Sequence, residues 1–172
     1  LRQGVKFQDG SDFTSADVLY SYRRIIDENL ANAWRLTAIK DISAPDANTV
    51  VITVGQPTPN LLSSLGGFKG MAIVSKANVD SKKINTAPVG TGPFSVAEYV
   101  SGDHITLDAN PNYWGGAPKV AKVEFRFISE SATALAALRS GDIQWTDVVP
   151  TQQVSTLQSD SSVTLGLAPS ND

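Results

Sequence analysis

The sequence contains no cysteine, a single histidine and a single methionine. The missing thiols exclude disulfide frameworks, cysteine nucleophiles and thiolate metal sites together. They leave the redox compartment open, since exported and cytosolic domains can both do without cysteine. Long hydrophobic runs are missing too. The longest apolar stretch, residues 50–54 with Thr53 inside it, falls far short of the roughly 20 residues that a membrane-spanning helix requires. Positive charge is not in excess: 14 basic against 17 acidic side chains leave a net charge of -3, too weak and of the wrong sign for a general nucleic-acid binder. No basic stretch followed by an apolar one opens the sequence as a signal peptide would. It starts at Leu1, without an initiator Met, in a strand-like stretch, and this start is expected to be a cut end.

What is present has the balance of a folded domain. The chain has 172 residues, of which 41% are hydrophobic and 18% charged, which excludes a disordered tail and a coiled coil. Thr14 followed by Asp17 places a hydroxyl N-cap three residues before a carboxylate, so each can satisfy a backbone donor that the first helical turn leaves free. Val18, Leu19, Tyr22, Ile25 and Ile26 then follow a 3.6-residue period, predicting a helix over 15–29. Its polar edge, Arg23, Arg24, Asp27 and Glu28, reads as a solvated face.

Residues 36–42 and 49–54 flank Ala44, Pro45, Asp46, Ala47 and Asn48, a turn composition that predicts a β-hairpin. A short helix over 58–65 and a short strand over 71–74 are expected next. In the second half, strands are predicted over 94–100 and 104–109, joined by Ser101, Gly102 and Asp103. Ala121, Val123, Phe125 and Phe127 alternate with Lys122, Glu124 and Arg126, the pattern of a half-buried strand. A helix over 131–140 stopped by Gly141, a strand over 142–146, a helix from 150 or 151 to 159 and a strand over 162–167 complete the order. Strands separated by single helices imply crossovers and a partly parallel sheet, so the fold class is α/β, or mixed α+β with a mixed β-sheet.

Little in the sequence points to catalysis. His104 lies in an alternating strand with Thr106 and Asp108 and reads as solvent-facing. A Ser-His-Asp triad would have to use this one imidazole, and no Gly-x-Ser-x-Gly elbow accompanies it. Gly90 and Gly92 lack the following Lys and hydroxyl of a phosphate loop, and Pro93 removes a backbone donor. They read instead as a tight turn with positive φ. No two of the acidic residues stand out as an acid and base pair; Asp108, Asp142 and Asp147 read as surface or turn residues. Trp34 reads as core or as a plug at a helix end. Trp145 ends a predicted strand, where open α/β sheets place their ligands; exposure in a cleft and plain packing both fit it.

Taken in order, four motifs resemble one family, the extracellular solute-binding proteins of peptide and nickel ABC importers known as family 5. The first runs from Leu1 through Gly4, Val5, Lys6, Phe7, Asp9 and Gly10 to Phe13, Thr14, Ala16, Asp17 and Val18, with Gln8 where the family commonly has histidine. The second is Pro88 to Phe94, a Gly-Thr-Gly-Pro-aromatic turn; the third is the Asn-Pro-x-Tyr-Trp-Gly-Gly loop from Asn110 to Gly116. The fourth is Ala137 to Gln144, a helix, glycine and acidic-strand segment with Gln144 where the family usually has Asp.

The resemblance spans essentially the whole chain but corresponds to only the first lobe of a two-lobed protein. It implies a periplasmic-binding-protein type II-like lobe, a fragment lacking the second lobe, with residues 1–85 as its outer subdomain and 86–172 as its inner, cleft-lining subdomain. It also implies a non-enzymatic, extracytoplasmic component of an ABC importer, in the periplasm or lipid-anchored at the outer face of the cell membrane. Such a protein captures peptides or similar small solutes and delivers them to a membrane permease, and a monomer without nucleic-acid partner or cofactor is expected. The family's cleft contacts carry over to Trp145, Thr146 and Asp147, with Asn171 as a further ligand-binding candidate. The indole would be a flat apolar wall, and the hydroxyl and carboxylate would orient polar groups of the solute. The alternatives are the sensory domain of a transcription regulator and a carboxylate-dependent hydrolase. Upstream sequence separates the first two: a leader with a lipid-anchor cysteine marks the transporter, a helix-turn-helix the regulator.

Overall fold

The computed structural model of the chain describes residues 1–66, 71–147 and 149–167. Among them, helices α1 (Ser15–Asp27), α2 (Leu61–Gly66), α3 (Lys76–Asp80), α4 (Ser131–Ser140) and α5 (Val154–Gln158) alternate with strands β1 (Ile39–Asp46), β2 (Thr49–Val54), β3 (Phe94–Val100), β4 (His104–Ala109) and β5 (Lys122–Arg126). The mixed α/β class expected from the sequence is the class observed. Two compact units divide the chain: one holds Leu1–Val100 and Ile105–Phe125, the other Ser101–His104 and Arg126–Asp172.

In the first unit, α1 begins where the sequence places it. The Asp17 carboxylate accepts from the Thr14 backbone N–H at 2.8 Å and from its hydroxyl at 3.2 Å, a reach-back contact that orders the first turn. Ser15 anchors that turn to the hairpin, its N–H donating to the Ala47 carbonyl at 2.9 Å and its hydroxyl to Asp46 O at 2.5 Å. The hairpin turn is tighter than expected. β1 runs through Pro45 to Asp46, with a register shift between Ser43 and Asp46, as suits a residue with no N–H to give to the ladder.

The core forms where these elements meet. Val18, Tyr22 and Ile25 on α1 pack with Leu36, Ile42 and Met71, and partly buried Leu19, Val50, Ile52 and Leu65 surround them. Leu36 and Ile42 keep only 1% and 2% of their surface exposed. Ile26, expected on the same face, lies outward. So does Trp34, which is exposed rather than core, with the Arg35 guanidinium 4.4 Å over its ring. The reason is local: residues 33–36 form a 3-10 turn that sends Leu36 inward and leaves the indole outside, where a cation can cover it. The strand expected over 71–74 is also absent. Val74 is held by a side chain instead, its N–H donating to Ser21 Oγ at 2.9 Å.

β3, β4 and β5 form a three-stranded sheet in that order. Ala109 N–H donates to Ala121 O at 2.9 Å and Phe127 N–H to Asp103 O at 2.8 Å; these partners run in opposite directions, so β4 and β5 are antiparallel. The apolar row on β5 was expected to be half-buried. Val123 is, but Phe125 and Phe127 are exposed; among the described residues β5 lies at the sheet edge beside β4. His104 and Thr106 also depart from the solvent-facing expectation. Thr106 is buried and His104 half-buried, with Nδ1 2.8 Å from the Asp103 carboxylate. Neither Gly90 nor Gly92 has positive φ; the Gln8 carboxamide shapes that turn instead.

In the second unit, α4 ends at Gly141 with φ 84°, the left-handed stop that glycine adopts without strain. The strands expected over 142–146 and 162–167, and with them the parallel crossovers, have no counterpart among the described residues. Their composition suits a strand, but a strand exists only where its N–H and C=O groups meet a ladder partner, and no partner lies alongside them there.

Candidate functional site

Trp145, Thr146 and Asp147 follow α4 closely, and the end of that helix sets where they stand. Ala134 and Leu135 are buried and seat α4. Beyond Gly141 the chain is tethered back to the helix: Ile143 N–H donates to Ala137 O at 3.2 Å and Gln144 Nε2 to Gly141 O at 3.0 Å. Ser140 Oγ donates to the Asp142 carboxylate at 2.7 Å. These contacts fold residues 141–144 into a compact turn from which Trp145 departs.

Trp145 is 70% exposed, so plain packing does not describe it. An indole left in water forgoes one of the larger burial gains available to any side chain; Trp34 and Trp114 are exposed as well. Thr146 beside it is half-buried and Asp147 exposed. The three follow one another directly after that turn, while Asn171, the fourth candidate, lies outside the described residues.

Nearby, the Arg139 guanidinium reaches the Asp160 carboxylate at 3.0 Å. The Ser162 hydroxyl, then its backbone N–H, hold that carboxyl below the usual aspartate range, with Arg139 adding to the effect. This ties the 160–162 segment to the last turn of α4. An apolar face, a hydroxyl and a carboxylate can bind and orient a polar organic molecule. Among the described residues no group of three or more His, Asp or Glu is placed to hold a metal ion.

A concavity in the first unit was not expected from the sequence. It is a cleft of about 450 Å³ lined by Lys6, Phe7, Gln8, Asn110 and Asn112 with Gly4 and Gly10. Lys6, Gln8 and Asn110 are engaged within the protein. Lys6 Nζ meets Asp12 at 2.5 Å, Asn110 Nδ2 donates to Gly92 O at 3.1 Å, and Asn110 Oδ1 accepts from the Asn112 N–H at 3.0 Å. Gln8 is committed to the turn at Gly90 and Gly92. A solute entering here would have to displace contacts that hold the fold, so this cleft is a seam between segments.

Comparison with known proteins assigns the class. The family model for bacterial extracellular solute-binding proteins, family 5 Middle, matches residues 1–172, and the chain belongs to this family. A putative ABC transporter peptide-binding protein of Brucella ovis is 35% identical over 166 residues, covering 92% of this chain and 31% of the relative. The glutathione-binding protein GsiB of Escherichia coli is 31% identical over 176 residues, covering 99% of this chain and 34% of its own length. The chain thus spans about a third of the length of these relatives.

Two solved structures are similar in the same way. The periplasmic binding protein AgaA in complex with agropinic acid, from A. tumefaciens R10, superposes with a TM-score of 0.86 at 34% identity over 94% of this chain and 33% of its own. A nickel ABC transporter structure from Bacillus halodurans gives 0.79 at 30% identity, again over 94% of this chain and 33% of its own.

Proposed function

We propose that residues 1–172 form a first-lobe segment of an extracytoplasmic solute-binding protein. It captures a small solute between two lobes and hands it to the membrane permease of an ABC importer. The observation that carries this reading is the family match over the whole chain. In this reading residues 1–85 are the outer subdomain and 86–172 the inner one that faces the cleft. Trp145 supplies an apolar wall and Thr146 and Asp147 supply the polar contacts, with Asn171 as a further ligand contact. The chain works as a monomer at the outer face of the cell membrane or in the periplasm, and it performs no chemistry on its cargo.

Peptides are the proposed solute class. The peptide-binding and glutathione-binding relatives favour it, and an indole beside a carboxylate suits a ligand with apolar side chains and an ammonium group. Tight capture requires burying roughly 70 to 90% of the ligand surface, which one lobe alone cannot do. Calorimetric titration with a peptide library, into this chain and into the longer gene product that contains it, tests both points. The longer product should bind at least about a hundredfold more tightly. Equal affinity would contradict the two-lobe reading, and no peptide binding by the longer product would contradict the solute class.

A further inference from the structure

Residues 87–94 connect α3 to β3 and contain Pro88, Gly90, Gly92 and Pro93, a composition usually met in flexible connections. Their contacts describe something else. The Asn78 side chain, on α3 and buried, donates through Nδ2 to Ala87 O at 3.0 Å and accepts from the Val89 N–H at 3.2 Å. The Gln8 carboxamide accepts from the Gly90 N–H at 3.1 Å and donates to Gly92 O at 3.2 Å and to Phe94 O at 2.6 Å. Its own backbone N–H donates to Gly90 O at 2.9 Å. From the far side, Asn110 donates through Nδ2 to Gly92 O at 3.1 Å and through its backbone to Pro93 O at 2.8 Å.

We propose that residues 87–94 are a fixed joint, clamped by the carboxamides of Gln8, Asn78 and Asn110. A carboxamide is suited to this work because it carries donor and acceptor on one rigid plane, so a single side chain can hold both kinds of backbone group in a segment that has no ladder of its own. The three clamps come from residues far apart in sequence, so the joint locks only when the N-terminal segment, α3 and the end of β4 are all in place. None of the three titrates, so the joint holds across the physiological pH range. For the proposed binding function, on which only this last consequence rests, the parts of the first unit before and after the joint move as one body, and any closure on solute is taken up elsewhere.

Amide hydrogen exchange on the 172-residue chain, read by NMR with no solute present, tests the joint separately from the binding reading. The Val89, Gly90 and Gln8 amides should be protected alongside those of α1; exchange at the rate of an unstructured peptide would overturn the proposal. Gln8→Ala should speed Gly90 exchange about tenfold while α1 keeps its protection. Gln8→Glu gives a control that returns. At pH 7 its carboxylate still accepts from Gly90 but faces the Gly92 and Phe94 carbonyls without a proton. Its folded pKa is therefore raised above the ordinary value of about 4.3, and protection should recover as pH falls through the folded value, when the acid regains a donor. Gly90 exchange unchanged within twofold in Gln8→Ala, or a Gln8→Glu chain that does not recover at low pH, would show that the clamp does not hold the joint.

Discussion

Around α1 the apolar side chains close on one another, whereas from α4 onward most of them do not. Val18, Tyr22, Ile25, Leu36, Ile42 and Met71 form one buried cluster drawn from four separate segments. Among the described residues of the second unit only Ala134, Leu135 and Leu157 are buried hydrophobics, while Phe127, Trp145 and Leu167 are exposed. The difference lies in partners rather than composition. The α1 region finds its hairpin within a few dozen residues, and the hairpin ladder satisfies its own backbone. The strand-like segments 142–146 and 162–167 have no ladder partner among the described residues. This contrast fits a chain that spans about a third of its relatives.

The largest expected effect breaks the well-packed side of that contrast. Leu36→Ala should cost about 3 kcal/mol or more in urea unfolding, since the side chain is fully enclosed. Leu135→Ala should cost less, about 2 kcal/mol at the lower edge of the same range, and its faster amide exchange should be confined to residues 126–167. An equal and global loss from both substitutions would mean that the two regions are equally well supported. Next in size, Asp17→Ala removes the acceptor for the Thr14 N–H and hydroxyl and should cost about 1 kcal/mol.

Acid sharpens the comparison further. The Ser11 hydroxyl and N–H hold the Asp9 carboxyl below its ordinary range, and Ser162 with Arg139 does the same for Asp160. A carboxyl depressed in the folded state adds stability that is present above the unfolded pKa of about 3.9 and is lost as pH falls through the folded value. Stability should therefore decline below about pH 4. Asp9→Asn should flatten that decline in the first unit and Asp160→Asn in the second, each by a small amount because both carboxyls are near the surface. At the alkaline end, burial pushes the Tyr22 hydroxyl up. Its contribution is present below about pH 10 and is lost above it, so Tyr22→Phe should extend the stable range upward. An alkaline limb unchanged by Tyr22→Phe would show that its hydroxyl does not titrate with unfolding.

Much of the fold was legible because the controlling signals are local. The Thr14 and Asp17 pair, the 3.6-residue period of α1, the alternation in β4 and β5, and the glycine stop at Gly141 all act within a few residues. What was not legible depends on distant partners. Nothing local distinguishes residues 142–146 from a paired strand, or shows that Gly90 and Gly92 are held by carboxamides from residues 8 and 110 rather than by positive φ. The same limit applied at Trp145. The residue type fitted exposure in a cleft and plain packing alike, and only its surroundings show an exposed ring.

That exposure makes Trp145 the sharpest test of the whole account. In the longer gene product, Trp145→Ala should leave the unfolding midpoint nearly unchanged, within about 0.5 kcal/mol, while weakening peptide affinity about tenfold or more, both read on one preparation by thermal unfolding and calorimetry. A large loss of stability with affinity intact would contradict it and return the indole to a packing role.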